Sequence, residues 1–113
     1  MAKLTKQEQK ALDKVINHLT KVCYDQLVSV ILYGSKARGN ITKDSDIDLL
    51  VLVRDRNEID RDRLYDFLLD DGIDYSLNFS LNIYDVREFQ RLSAVKAPFA
   101  MNVMEEGETL WTN

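Results

Sequence analysis

Several kinds of residue are scarce in this chain of 113 residues, and each scarcity excludes a class of protein. Cys23 is the only cysteine, so an internal disulfide is impossible. No apolar run approaches the length of a membrane span, and the N-terminus lacks the apolar core of a signal peptide. We therefore expect a cytoplasmic protein with no membrane partner. Because Cys23 falls on the apolar stripe of a predicted helix, we also expect a buried structural thiol.

Basic residues are also fewer than acidic ones. The chain has 15 Lys and Arg against 19 Asp and Glu, a formal net charge of −4. A surface that binds a polynucleotide needs clustered basic side chains to neutralise phosphates, so a polynucleotide partner is not expected. The remaining composition, 45% apolar and 30% charged, is that of an ordinary globular chain. We expect residues 1–113 to form one domain, with little room for a separate substrate domain.

Proline and glycine are scarce too: Pro98 is the only proline, and the four glycines fall at predicted breaks. Between the breaks, apolar residues recur at helical or at alternating spacing. Thr5 with Glu8 predicts a capping box, and Asp85 with Glu88 predicts a second helix cap. Helices are predicted over residues 5–24, 58–71, 85–92 and 99–105, and strands over 27–33, 47–53, 73–83 and 109–111. The predicted class is α/β (α+β), with a small mixed sheet of three or four strands, helices packed on one face and the other face partly open.

Two short polar groups beside the first two strands carry the predicted chemistry. Gly34 and Ser35 end the first strand, where a glycine lets backbone N–H groups approach a triphosphate and the serine adds a hydroxyl donor. Asp46 and Asp48 are two residues apart on the second strand, so their side chains share one face. Mg²⁺ takes oxygen ligands from one or two carboxylates and from substrate phosphates. Each group alone is common in structural turns, but together they predict a site for a metal-bound triphosphate.

This combination of Gly34-Ser35, ten further residues and Asp46-Ile47-Asp48 resembles the signature of the polymerase-beta-like nucleotidyltransferases. Including Ala37-Arg38-Gly39, the stretch is most similar to the small branch called minimal nucleotidyltransferases. The resemblance implies the nucleotidyltransferase fold and an enzyme that transfers AMP or another nucleotide from a triphosphate such as ATP. It also implies two Mg²⁺ ions, triphosphate ligands at Gly34 and Ser35, and catalytic metal ligands at Asp46 and Asp48.

Two basic residues and a partner complete this hypothesis. Lys36 and Arg38 flank the Gly-Ser turn and are expected to meet phosphate, since guanidinium groups bind phosphate through two hydrogen bonds. Some minimal nucleotidyltransferases are antitoxins that adenylylate a toxin of the helical HEPN family. The resemblance therefore implies a HEPN-like helical partner protein.

The chain departs from the family pattern at one place. The family often has a third carboxylate on the strand after the second helix, and the apolar alternation puts that place near Ser80 or Asn82. Asp74 shares their predicted face but lies six residues before Ser80. The metal site is thus present without its usual third acid. This leaves two alternatives open: a catalytically weak module that neutralises its partner by docking, and a small-molecule transferase of the aminoglycoside type, which usually needs an added helical domain.

Overall fold

The computed structural model describes residues 4–34, 47–66 and 79–113. In these ranges there are four helices and four strands, in the order α-β-β-α-β-α-α-β. The helices are α1 (Lys6–Cys23), α2 (Arg61–Leu64), α3 (Val86–Ala94) and α4 (Pro98–Glu106). The strands are β1 (Leu27–Tyr33), β2 (Ile47–Val53), β3 (Phe79–Asp85) and β4 (Glu108–Thr112). Short 3₁₀ turns cover Tyr24–Gln26 and Arg56–Glu58.

Helix α1 begins as the sequence predicts. The Thr5 hydroxyl accepts from the Glu8 N–H at 3.0 Å, and the Thr5 N–H donates to Glu8 Oε1 at 3.0 Å. These two bonds satisfy backbone donors that the first helical turn would otherwise leave without partners. One face of the helix is buried, and its last buried residue is Cys23, which confirms the predicted structural thiol.

The sheet has the strand order β3-β2-β1-β4 and is mixed. Strand β1 runs antiparallel to both β2 and β4, whereas β2 and β3 are parallel and keep an unbroken register from Ile47 opposite Phe79 to Val53 opposite Asp85. The starts of β2 and β3 therefore lie at the same end of the sheet as the end of β1. This end brings together residues that lie far apart in the sequence.

Both faces of the sheet are covered, because β2 is apolar at every position except Asp48. Residues Leu49, Val51 and Val53 belong to a core cluster with α1 and α2. The alternate residues Leu50 and Leu52 point to the other face and belong to a second cluster, with Phe89 of α3 and Ala100 and Val103 of α4. The α/β class and the mixed four-stranded sheet are confirmed, but the expectation that all helices pack on one face is corrected. A strand that is apolar on both sides needs apolar cover on both sides.

One helix start and one helix-cap bond differ from the predictions. A helix was predicted from residue 58, but α2 begins at Arg61, because the Asp60 side chain accepts from the N–H groups of Asp62 and Arg63 and caps the helix there. Asp85 is the N-cap residue of α3, as predicted, but its side chain makes no cap bond and instead accepts from the Arg56 N–H at 2.6 Å. The rest of the predicted helix, residues 67–71, and the first part of the predicted long strand, 73–78, lie outside the described residues. Within the described ranges, no helix has the length and apolarity that crossing a membrane requires.

Candidate active site

Three side chains form a row across the sheet at the end where β1 finishes. Tyr33 pairs with Asp48 across the antiparallel strands, and Asp48 pairs with Ser80 across the parallel strands. All three residues are half-buried. Neighbouring strands lie about 4.8 Å apart, so the row spans about 10 Å with Asp48 at its centre. The row stands on the same face as Leu50, beside the cluster that α3 and α4 cover.

Gly34 follows Tyr33 at the end of β1, and two observations show why this residue is a glycine. Its φ is +79°, a conformation that L side chains rarely adopt. A β-carbon at this position would also lie 2.5 Å from Asp48 Oδ2. The absence of a side chain therefore allows the Asp48 carboxylate to lie against the backbone at the end of β1.

Tyr33 contributes a polar group that the sequence analysis did not assign. Its phenolic oxygen accepts a hydrogen bond from Asn82 Nδ2, so the side chain crosses over β2 and reaches β3. Burial raises the pKa of the Tyr33 phenol, and the negative charge of Asp48 raises it further. The Tyr33 ring packs edge-on against Phe99 with centroids 5.5 Å apart, so the ring packs in the core while the hydroxyl bonds to Asn82.

The structure brings together some of the predicted site residues and leaves others outside its described ranges. Gly34 and Asp48 are adjacent. On β3, Ser80 is the residue opposite Asp48, and Asn82 stands two residues further along, opposite Leu50. Ser35, Lys36, Arg38 and Asp46, as well as Asp74, lie outside the described residues, so their predicted roles stay predictions.

The donor atoms near Asp48 suit one class of metal ion. They are oxygens: the Asp48 carboxylate, the Ser80 hydroxyl and the Tyr33 phenol. Oxygen ligands fit Mg²⁺, whereas zinc and copper sites use nitrogen or sulfur. In residues 4–34, 47–66 and 79–113 no group of three His, Cys, Asp or Glu side chains gathers to hold a metal. A carboxylate that binds Mg²⁺ together with substrate phosphates does not require such a group, so the residues present fit the ion.

The model of the nucleotidyltransferase domain family matches residues 12–107. The chain belongs to this family. The family membership that the Gly-Ser and Asp-x-Asp residues predict is confirmed, and so is the prediction that the protein is an enzyme, a nucleotidyltransferase.

Two curated relatives come from Methanocaldococcus jannaschii. The nucleotidyltransferase is 30% identical over 106 residues to the protein called "Putative protein adenylyltransferase MJ0604", an alignment that covers 92% of this chain and 98% of that protein. It is 34% identical over 80 residues to "Putative protein adenylyltransferase MJ1305", covering 61% of this chain and 54% of that one.

Solved structures share the fold of this nucleotidyltransferase. A crystal structure of a toxin–antitoxin with AMP-PNP superposes with a TM-score of 0.60 and 23% identity over 89% of this chain and 73% of that chain. A mutant of the toxin–antitoxin pair MntA–HpeT gives a TM-score of 0.57 with 20% identity over 89% of this chain and 72% of that chain. The predicted nucleotidyltransferase fold is confirmed.

Proposed function

We propose that this nucleotidyltransferase transfers AMP from Mg²⁺-bound ATP to a hydroxyl on a partner protein. The observation that carries the proposal is the contact between Gly34 and Asp48, where a β-carbon would lie 2.5 Å from Asp48 Oδ2. A backbone able to bind phosphate and a carboxylate able to bind metal thus meet at one point. The relative that is 30% identical, and of which this chain covers 98%, bears the name of a protein adenylyltransferase and supports the choice of AMP and of a protein acceptor.

Each residue of the predicted site has a role in this proposal. The backbone at Gly34 and the Ser35 hydroxyl hold the triphosphate, and Lys36 and Arg38 neutralise its charge. Asp46 and Asp48 hold two Mg²⁺ ions. When bound, the ions polarise the α-phosphate and stabilise the leaving pyrophosphate.

The partner we propose is a small helical protein of the HEPN type. Two solved structures with the same fold are toxin–antitoxin proteins, one of them with AMP-PNP. A cytoplasmic location is part of the proposal, because Cys23 is a free, buried thiol that suits a reducing compartment where ATP and Mg²⁺ are available.

The test is transfer of label from ATP to the protein encoded by the neighbouring reading frame, with and without Mg²⁺. We expect Asp48→Asn to reduce transfer at least a hundredfold, since it removes a charged metal ligand from the reacting centre. Asp13→Asn, which neutralises an exposed aspartate on α1, is the matched control and should transfer like wild type. Transfer by Asp48→Asn at the wild-type rate would refute the site assignment.

A second candidate function is supported by the residue opposite Asp48. Ser80 stands where a third carboxylate would be adjacent to Asp48, and a serine is a poor base. General-base help is worth a factor of about 10²–10⁴, so transfer without it would be slow and docking could be the main activity. In that case the Asp48→Asn variant would neutralise the partner as effectively as the wild type. If instead neutralisation requires Asp48 and ATP, docking alone is insufficient.

A further inference from the structure

The Tyr33 residue stands in the row of site residues, and its hydroxyl is oriented by Asn82, which lies two residues after Ser80 on β3. The side chain leaves β1, crosses the face of β2 and receives a hydrogen bond from Asn82 Nδ2 on β3. An amide NH₂ group only donates, so the phenolic oxygen must use a lone pair to accept from it. The single phenolic proton is then left for another acceptor, and the part of the chain that the structure describes shows none for it.

The surroundings of this proton determine what it would bind. Tyr33 and Asp48 are direct cross-strand partners, and the Asp48 charge acts on the phenol. A group that Asp48 holds through a cation therefore comes within reach of the Tyr33 O–H. If that group is a triphosphate, its charged oxygens are the strongest acceptors available, and a hydrogen bond to a charged group is stronger than one between neutral groups.

The identity of residue 82 supports this direction of donation. A carboxylate at position 82 would accept the phenolic proton itself and leave nothing to donate to a ligand. The amide of Asn82 does the opposite, because it occupies the phenolic lone pair and polarises the O–H bond. The neutral amide of Asn82 on β3 is thus suited to orienting a donor.

We propose that Tyr33 is a nucleotide-binding residue of the site, whose O–H donates a hydrogen bond to a phosphate oxygen of the Mg²⁺-bound nucleotide, with Asn82 as the positioning residue. This proposal rests on one part of the proposed function, the binding of a nucleotide at Asp48. It does not depend on which acceptor receives AMP. The Tyr33 ring remains a packing group against Phe99, so removal of the hydroxyl alone tests the proposal without disturbing the core.

The experiment measures the dissociation constant of Mg²⁺-bound α,β-methylene-ATP by calorimetry for wild type, Tyr33→Phe and Tyr84→Phe. Tyr84 is the matched control, because its ring stacks on the same Phe99 at 5.4 Å and it lies opposite Leu52, further from Asp48. We expect Tyr33→Phe to raise the dissociation constant about tenfold, as loss of a hydrogen bond to a charged group does, and Tyr84→Phe to change it less than twofold. Thermal melts check that both variants fold like wild type.

A double-mutant cycle tests the positioning role of Asn82. Asn82→Ala should weaken binding in the wild-type background but have less than a twofold effect in the Tyr33→Phe background, because Asn82 acts only through the hydroxyl. Equal effects in both backgrounds would refute that role. The proposal for Tyr33 is overturned if Tyr33→Phe binds like wild type, or if both phenylalanine variants weaken binding equally.

The same measurements separate this proposal from the proposed function. If wild type binds the nucleotide with the expected dependence on Tyr33 but labels no partner, protein adenylylation is refuted and the Tyr33 proposal stands. If wild type binds no nucleotide in the presence of Mg²⁺, both are refuted.

Discussion

Gly34 shows how one residue can determine both local structure and site geometry. Its φ of +79° requires a residue without a β-carbon, and the Asp48 carboxylate occupies the space that a β-carbon would fill. The sequence analysis predicted a glycine at a strand end that brings backbone close to phosphate. The contact with Asp48 depends on the pairing of β1 with β2, which is visible only in the folded chain.

We predict that Gly34→Ala loses both stability and Mg²⁺-dependent nucleotide binding. The left-handed backbone alone costs an L residue about 1–2 kcal/mol, and the new methyl group must displace Asp48. Calorimetry and thermal melts measure the two effects. Gly107→Ala is the control: a β-carbon there would overlap the Val103 carbonyl oxygen and lie 2.8 Å from Ile31 Cγ2, and neither residue is a predicted site residue. Gly107→Ala should lose stability, while the fraction that folds should bind nucleotide normally. Normal binding by Gly34→Ala would mean that Gly34 is only a turn residue.

The thiol of Cys23 should be chemically inert in the folded protein. Burial raises its pKa, so at pH 7–8 even less of it is the reactive thiolate than in an exposed cysteine. We expect a thiol reagent such as DTNB to react at least a hundredfold more slowly with native protein than with protein in denaturant. Similar rates in the two states would show that α1 opens readily. Stopped-flow absorbance measures both.

At the scale of the element, α1 depends on its N-terminal cap. Thr5→Ala removes the hydroxyl that accepts from the Glu8 N–H, and we expect it to lower the free energy of unfolding by about 1 kcal/mol in urea denaturation. Thr20→Ala makes the same chemical change in the same helix, but there the hydroxyl donates to the Asn17 carbonyl on an exposed surface. It should be neutral or slightly stabilising, since alanine is the better helix former. Equal losses in both variants would mean that the cap contributes nothing specific.

The parallel register of β2 and β3 makes Ser80 the position at which a third acid would be adjacent to Asp48. We predict that Ser80→Asp lowers the melting temperature without metal, because two carboxylates repel, and that added Mg²⁺ raises it by more than in wild type. Differential scanning calorimetry measures both. Ser80→Asn, of matching size but neutral, should show neither effect. If transfer is slow only because the general base is missing, Ser80→Asp should also speed transfer to the partner.

The bounds of the first two strands were predictable, whereas the start of α2 and the cap bond of α3 were not, for a physical reason. Strands β1 and β2 have the predicted bounds, because an unbroken apolar run between polar breaks is a local property of the sequence. A cap depends on which N–H donor the side-chain carboxylate accepts from. Asp85 was expected to cap α3, but the Arg56 N–H, 29 residues away in sequence, takes its carboxylate.

At the scale of the whole molecule, the two covered faces were not predictable from helical periodicity. Helices α3 and α4 each have a short apolar face, and the local sequence does not determine which side of the sheet that face packs against. For the same reason, only part of the site could be predicted from the sequence. Gly34 and Asp48 are found from their motif, whereas the bond between Tyr33 and Asn82 joins residues 49 apart and follows only from strand order and register.

We predict that the opposite end of the sheet controls stability without affecting the site. Asp85→Ala leaves the half-buried Arg56 N–H without its acceptor and should cost about 1–3 kcal/mol of unfolding free energy. Nucleotide affinity should stay at the wild-type value. Glu105→Ala, which removes an exposed carboxylate on α4, is the control for loss of charge and should alter neither quantity. Weaker nucleotide binding by Asp85→Ala would show that the two ends are coupled.

The bond between Asp85 and Arg56 also indicates where this enzyme can be redesigned. Asp85 lies five residues after Ser80 on β3, about 17 Å at the rise of a strand, which is roughly twice the screening length of charges at physiological salt. Substitutions at the ends of β2 and β3 can therefore be selected for heat tolerance alone. Substitutions at their starts can be selected for turnover alone, and the two sets can be combined in one protein with additive effects.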